Sequence, residues 1–558
     1  LAVKKFVNRP ADVVEEMLDG LVILHPGLVR LAGHKVITRA NADQTRQQQV
    51  AILSGGGSGH EPAHAGYVGD GMLSAAVAGE VFTSPSGDSV YAAIKAVAGK
   101  PGALLVVKNY TGDRLNFGLA AEMARAEGIP VELVVVDDDV ALLDSANATG
   151  ARGLAGTVFI HKLVGAAASE GKNLAEIAAT GRDAVKALAT MGVSFSAGTA
   201  PAVGKPSFEL AENEMELGLG IHGEPGAQRT EIQAADNLTE TLLTEILKRG
   251  NFGLEKRVAV MINNLGATTE MELAITARHA SQFLEKNGLN VERIYAGTFL
   301  SSLDMAGISI SVLGLNDQWL RWLDADTAAP AWPNAAKQRP GKLPAAIARE
   351  AGPKVKPPSS KAPQSEKTRM IARAIEAACR ALIHTERELT ELDRITGDGD
   401  LGVSMERAAK AVRTAMDSYP LNNVPDTVKA LGHTLRKELG GSSGPLYGIL
   451  FLRCGSVLET ARWPEAILEG CRAVSELGGA KLGDRTMLDA LIPFAEELQK
   501  TGLTEAVAAA DRGVEATAKM KPRLGRSSYL GDRVLGHPDP GARAVAIWLH
   551  AVSEIVGG

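Results

Sequence analysis

The 558-residue chain has only three cysteines, Cys379, Cys454 and Cys471, and no CxxC spacing. So sparse a set excludes a disulfide framework and a cysteine zinc site, and fits a reducing compartment. Aromatic residues are scarce, at 4%. No apolar run approaches the roughly 20 residues that a membrane helix needs. The first residues lack the basic, apolar, small-residue order of a secretory signal, so a cytoplasmic location is expected. Positive charge is not in excess either. The net charge of -6 argues against nucleic acid or an anionic membrane as the main partner. Common nucleotide signatures are also missing. The glycines at 55–59 are not followed by Lys-Ser/Thr, as a Walker A loop requires, and they lack dinucleotide-fold spacing.

What is present points to several domains, because one core does not grow to this length. Short apolar runs at 50–53, 104–107 and 131–136, with a helical stretch at 116–126, alternate in the manner of an α/β domain. Mostly parallel sheets are expected, with ligands beyond the carboxyl ends of the strands. A second α/β unit begins near residue 190. It has strands at 258–262 and 308–312 and an acidic, helix-like piece at 209–222. Seven prolines between 331 and 365 (Pro333, Pro340, Pro344, Pro353, Pro357, Pro358 and Pro363) mark a semi-rigid linker. Beyond it the apolar positions recur at three- and four-residue steps only, as in Met370, Ile371, Ala374, Ile375, Ala378 and Leu382. The expected division is 1–188 and 189–335 (two α/β subdomains), 336–365 (linker), and 366–558. The last is an all-helical region of about eight helices in a barrel or bundle.

Several loops carry chemistry. Gly55-Gly56-Gly57-Ser58-Gly59-His60-Glu61-Pro62 lets backbone approach a small ligand, though a glycine run is as often a plain turn. Lys108-Asn109-Tyr110-Thr111-Gly112-Asp113 sets a cation and a carboxylate after a strand; Asp113 is either a helix cap or a general base. His222, fenced by glycines, offers a nucleophilic imidazole. Asp393, Asp398 and Asp400 lie between two helices. They repel one another unless cations intervene, and hard oxygen ligands suit Mg²⁺; the bland alternative is an exposed, helix-capping turn. Gly440-Gly441-Ser442-Ser443-Gly444 precedes an apolar helix and suits phosphate. The loops around Arg485 and Met487, Arg526, and Asp539 to Gly541 are weaker signals.

Taken together, GGGSGHEPAH, FTSPS, VKNYTGDRLNFGLA and GIHGEPG resemble the substrate domain of the dihydroxyacetone kinase family, over roughly residues 1–335. The aspartate triad and the glycine-serine loop resemble its nucleotide domain, a helical barrel, over roughly 366–558. The resemblance implies an ATP-dependent phosphotransferase acting on dihydroxyacetone, with glyceraldehyde a second substrate. It implies that His222 holds the carbonyl as a hemiaminal, that His60 and Asp113 bond the hydroxyls with Asp113 as base, and that Gly57 and Lys108 add contacts. It further implies two Mg²⁺ ions on Asp393, Asp398 and Asp400. ATP would be contacted by Gly441, Ser442, Ser443, Met487, Arg526, Asp539 and Gly541. Leu401 stands where some members have histidine or threonine, which leaves the triad intact. A domain-crossed homodimer is implied too. Three other readings stay open: a kinase for erythrulose, an added FAD-AMP lyase activity, and a non-catalytic ligand sensor.

Overall fold

The computed structural model describes residues 5–141, 151–224, 226–253, 256–335, 337, 339–340, 365–439, 442–524 and 526–557. It divides into two units, Leu1–Ala346 and Ile347–Gly558. Most of the linker expected at 336–365 lies outside the described residues.

The first unit holds two six-stranded sheets. In the first, β1 (Leu28–Arg30), β2 (Val36–Arg39), β3 (Ala51–Ser58), β4 (Ala75–Val81), β5 (Ala103–Lys108) and β6 (Val131–Val136) run in the order β1-β2-β4-β3-β5-β6. Its four members β4, β3, β5 and β6 are parallel. β5 is buried along its whole length, because helices cover both faces and every side chain must be apolar or satisfied. Leu104 and Val106 join one core, Leu105 and Val107 the other. The neighbours β4 and β5 flank β3 on opposite sides, which opens a crevice at its carboxyl end.

Two expectations change here. The strand forecast at 50–53 continues to Ser58, so the glycines belong to the sheet. A Cβ on Gly55 would stand 2.3 Å from the Val77 carbonyl oxygen, and one on Gly57 2.7 Å from the Thr83 nitrogen. Only glycine lets these strands close up. The helix forecast at 116–126 starts earlier, at Thr111, which puts Asp113 in its first turn.

The second sheet comprises β7 (Leu188–Ser194), β8 (Glu214–Leu217), β9 (Gln228–Glu231), β10 (Arg257–Asn264), β11 (Asn290–Gly297) and β12 (Gly307–Gly314), ordered β11-β10-β12-β7-β8-β9. Only β10 and β11 pair in parallel; the other pairs are antiparallel. The expectation of mostly parallel sheets therefore fails for this one. β8 and β9 are antiparallel neighbours in the chain, joined by the segment 218–227, and need no crossover helix. The helix-like piece at 209–222 holds no helix and contributes β8 at Glu214–Leu217. Pairing with β7 buries Met215 and Leu217, and this outweighs the local helix preference of the glutamates.

The second unit is helical throughout its described residues. Nine α-helices are described: Glu366–His384, Glu386–Thr396, Leu401–Ala415, Val424–Glu438, Ser443–Val457, Trp463–Gly478, Leu488–Lys500, Leu503–Thr517 and Pro540–Val556. The reading of about eight helices left out Glu386–Thr396, which only Thr385 separates from the helix before it. Helices adjacent in the chain pack together, and Glu366–His384 packs on Pro540–Val556. Among the described residues no helix is long and apolar enough to cross a membrane.

Candidate active site

In the first unit, the carboxyl ends of β3 and β5 bring together residues far apart in the chain. His60 directly follows β3 and is fully buried. Its Nδ1–H donates to the Ser301 carbonyl at 2.8 Å, so Nε2 carries a lone pair, and that atom has no protein partner. Burial, then the charges of Lys108 and His222, hold His60 well below the usual imidazole range. It is therefore a neutral acceptor at pH 7.

His222 stands in the β8–β9 connection, inside a box of rings. Its centroid lies 4.6 Å from Tyr110, 4.8 Å from His60 and 5.4 Å from Phe82, each edge-on. Glu224 grips it twice: Oε1 lies 3.0 Å from Nδ1, and Oε2 accepts the His222 backbone N–H at 2.8 Å. An ionised carboxylate only accepts, so Nδ1 holds the proton and Nε2 is left as the nucleophilic atom. Burial works to raise the Glu224 carboxyl. The hydrogen bond and charge of His222 and the backbone bonds outweigh it, bringing the group to about 2. Arg152 anchors the loop from a distance: it pairs with buried Asp139 at 2.7 Å and donates to the Gly218 carbonyl at 2.6 Å. Phe82 adopts φ 58°, a costly region for an aromatic residue, with its ring stacked on His60.

Asp113 is buried, and its Oδ1 accepts from the Ser84 hydroxyl at 2.5 Å. The N-cap of its helix is Tyr110, which makes no side-chain cap, and Asp113 stands in the first turn. Lys108 ends β5, fully buried, with its Nζ lacking a hydrogen-bond partner. A Cβ on Gly56 would lie 3.3 Å from that Nζ and 3.5 Å from Asp113 Oδ2, so the cation, the carboxylate and bare backbone share one spot. His222, His60, Phe82 and Tyr110 thus form one group, and Lys108 and Asp113 meet beside Gly56. Sequence reasoning missed Glu224, Ser84, Phe82, Tyr110 and Arg152 as site residues. Glu224 was legible two places after His222; Arg152 left no signal.

In the second unit, carboxylate oxygens of Asp393, Asp398 and Asp400 all lie within 4.8 Å of one another. Asp393 is buried and caps the next helix from outside, its Oδ2 accepting the backbone N–H groups of Asp400 (2.9 Å) and Leu401 (3.1 Å). A Cβ on Gly397 would meet Asp393 Oδ1 at 2.3 Å. Asp398 and Asp400 are exposed, and Asp400 makes no side-chain cap. Three hard carboxylate donors this close fit a divalent cation such as Mg²⁺. Ser442 and Ser443 open the helix Ser443–Val457 without a side-chain cap, which leaves their N–H groups for an anion. Gly441 and the Arg526 side chain lie outside the described residues.

Met487, Asp539 and Gly541 do come together: a Cβ on Gly541 would lie 3.1 Å from Asp539 Oδ1 and 3.8 Å from Met487. Asp539 caps Pro540–Val556 through the Ala542 N–H at 2.8 Å, so its plain structural role is real. Burial pushes its carboxyl up to about 6. Arg485, which the sequence singled out only as part of its loop, is buried at φ 64°. It ties this loop down through the carbonyls of His537 (3.0 Å) and Pro538 (3.3 Å).

Residues 19–331 match the Dak1 domain and residues 395–554 the DAK2 domain. The chain is 43% identical to human triokinase/FMN cyclase, with 99% of each chain covered. It is 36% identical to the D-erythrulose kinase of Mycolicibacterium smegmatis, over 99% of this chain and 98% of that one. The crystal structure of the dihydroxyacetone kinase from C. freundii in complex with AMP-PNP and Mg²⁺ aligns over 99% of this chain and 100% of that one, at 35% identity and a TM-score of 0.62. The chain therefore belongs to the ATP-dependent dihydroxyacetone kinase family, in the form that fuses a substrate domain and a nucleotide domain in one polypeptide.

Proposed function

We propose that the protein transfers the γ-phosphoryl group of ATP to a terminal hydroxyl of dihydroxyacetone, giving dihydroxyacetone phosphate. The observation that carries this reading is the Glu224–His222 pair, which engages Nδ1 and turns Nε2, the nitrogen that bears the lone pair of the neutral ring, into a ring-lined box. Nε2 adds to C2 as the C=O π bond opens onto oxygen; that oxygen gains a proton as the ring gives up the one on Nδ1, which leaves a neutral hemiaminal. This holds a small, featureless ketone and rejects glycerol, which has no carbonyl. Neutral His60 accepts from one hydroxyl. Asp113 takes the proton of the hydroxyl that attacks phosphorus, and Lys108 and the backbone of Gly57 complete the contacts. Fixing C2 removes much of the entropic cost of bringing that hydroxyl to its donor.

On the nucleotide side, Asp393, Asp398 and Asp400 would hold Mg²⁺, two ions in this proposal. Bound there, the metal supplies neutralisation of phosphate charge. Ser442 and Ser443, with Gly441 and Arg526, would receive phosphate oxygens, and Met487, Asp539 and Gly541 the remainder of the nucleotide. Barrel closure of the helical domain, a cytoplasmic homodimer with crossed domains, and the division at residues 188 and 335 belong to the same proposal. The packing of the first helix of that domain on the last supports closure.

Two relatives favour specific variants: a D-erythrulose kinase, for erythrulose as the acceptor, and a triokinase/FMN cyclase, for an added cyclase activity. A non-catalytic regulator is favoured less: the dihydroxyacetone kinase operon co-activator that the chain resembles covers only 57% of it, whereas here the aspartate triad of the second unit is whole. The test is ADP release from Mg-ATP with dihydroxyacetone, glyceraldehyde, erythrulose and glycerol, for the wild type and His222→Ala. Turnover of a short ketose, weakened in the variant, is expected; no turnover of any of them by folded protein would sink the kinase.

A further inference from the structure

Strand β10 ends in Asn263 and Asn264, which the proposed mechanism does not use. Asn263 is removed from solvent, and its carboxamide is spent on the connection between β11 and β12. Oδ1 accepts the backbone N–H groups of Phe299 and Leu300, each at 2.9 Å. Nδ2 donates to the Leu300 carbonyl at 2.8 Å and to the Ser309 hydroxyl oxygen at 3.1 Å. Both donor and both acceptor sites of the amide are used. A rotated amide would set oxygen against the Leu300 carbonyl, so the bonds fix its orientation.

The residues that follow reach into the substrate site. The Ser301 carbonyl accepts the His60 Nδ1–H at 2.8 Å, and the Ser301 N–H returns to the His60 carbonyl at 3.1 Å. The buried Ser302 hydroxyl donates to the Ile221 carbonyl at 2.6 Å, one residue before His222. The Leu303 N–H donates to the Gly59 carbonyl at 2.8 Å, one residue before His60. Leu303 does so at φ 56°, a conformation that a bulky side chain keeps only where its surroundings impose it. Segment 299–303 therefore grips His60 and the chain that carries His222 at once, and the two rings stand 4.8 Å apart.

We propose that Asn263 and Ser302 are positioning residues of the substrate site: Asn263 shapes segment 299–303, Ser302 locks the backbone beside His222, and one segment so sets the gap between the two imidazoles. The inference rests on the proposed roles of His60 and His222 as substrate contacts. Glu224 orients the His222 ring; Ser302 fixes where the backbone under that ring stands. A nucleophile displaced by about 1 Å loses much of its rate, so a single hydroxyl outside the reacting groups governs the addition to C2.

Two measurements on the full chain decide it. Ser302→Ala removes one hydroxyl and leaves the backbone bonds of the segment in place. It should lower kcat/KM for dihydroxyacetone about ten- to hundredfold, mainly through KM, with Mg-ATP affinity unchanged. Carbon spectra with dihydroxyacetone labelled with ¹³C at C2, taken without nucleotide, should show the bound tetrahedral adduct depleted to match. Wild-type kcat/KM and a full adduct in folded Ser302→Ala overturn the proposal. In protein labelled with ¹⁵N-histidine, long-range ¹H–¹⁵N spectra should show wild-type His60 as the Nδ1–H tautomer, assigned from His60→Gln, and Asn263→Ala should shift it toward Nε2–H. An Nε2–H tautomer in the wild type, or an unmoved His60 in folded Asn263→Ala, overturns the hold on His60. Where Asn263→Ala does not fold, Ser302→Ala and the wild-type tautomer decide. If the wild type forms no adduct and turns over no short ketose, the kinase reading falls, and the His60 tautomers still judge the segment.

Discussion

Lys108, His60, His64 and His161 are buried together around one glycine strand, whereas Asp398 and Asp400 stand exposed at the start of a helix. The first region has its chemistry built in. Ser301 and Glu224 orient the rings of His60 and His222, and little reorganises when a ligand arrives. The second region is a set of like charges whose order depends on a cation. Buried neutral imidazoles recognise a carbonyl and hydroxyls by direction. Carboxylates in water recognise charge, and do so only when a metal supplies the opposite sign. Substrate selectivity should therefore live in the first region, and most of the rate in the second.

Removing the proposed metal ligands is the strongest way to probe that contrast. Asp398→Asn with Asp400→Asn should cut kcat/KM about a thousandfold or more and leave the melting temperature unchanged or higher, because repulsion is relieved. Calorimetric titration of Mg-ATP should show the matching loss of affinity. Next, His222→Ala should cost about ten- to hundredfold with dihydroxyacetone, with Mg-ATP affinity unchanged. Equal losses in both affinities would erase the contrast. Third, Glu224→Gln should lower kcat/KM about tenfold, because an amide can donate to Nδ1 and release the fixed tautomer.

Glu224 also gives a pH test. Its carboxyl lies at about 2, below its ordinary value of 4.5. The stabilisation from ionised Glu224 is thus complete above about 4.5 and fades as pH falls toward 2. Acid unfolding curves of wild type and Glu224→Gln should diverge in that window and nowhere else. The smallest effect concerns Asp539, raised from 3.8 to about 6. The sign is opposite: its contribution to stability is full below 3.8 and is lost as pH rises through 6. Asp539→Asn keeps a capping oxygen and should raise Tm by about 2–4 °C at neutral pH. A fall would mean that the ionised carboxylate is needed.

The sequence by itself carried the division into an α/β part and a helical part, because the apolar period changes from strand-like runs to three- and four-residue steps. It also carried the motif residues, because glycines, His60, Asp113, His222 and the three aspartates stand in short contiguous stretches. Local pattern misled where pairing decided the outcome: the glutamates of β8 favour a helix, and only docking on β7 makes a strand that buries Met215 and Leu217. The antiparallel character of the second sheet was hidden for the same reason, since strand direction is set by connections between distant segments. Tertiary structure alone decided the His60 tautomer. Ser301 lies 241 residues from His60. A donor's direction in a buried network is fixed by whichever partner folding brings within 3 Å, and no spacing along the chain encodes that.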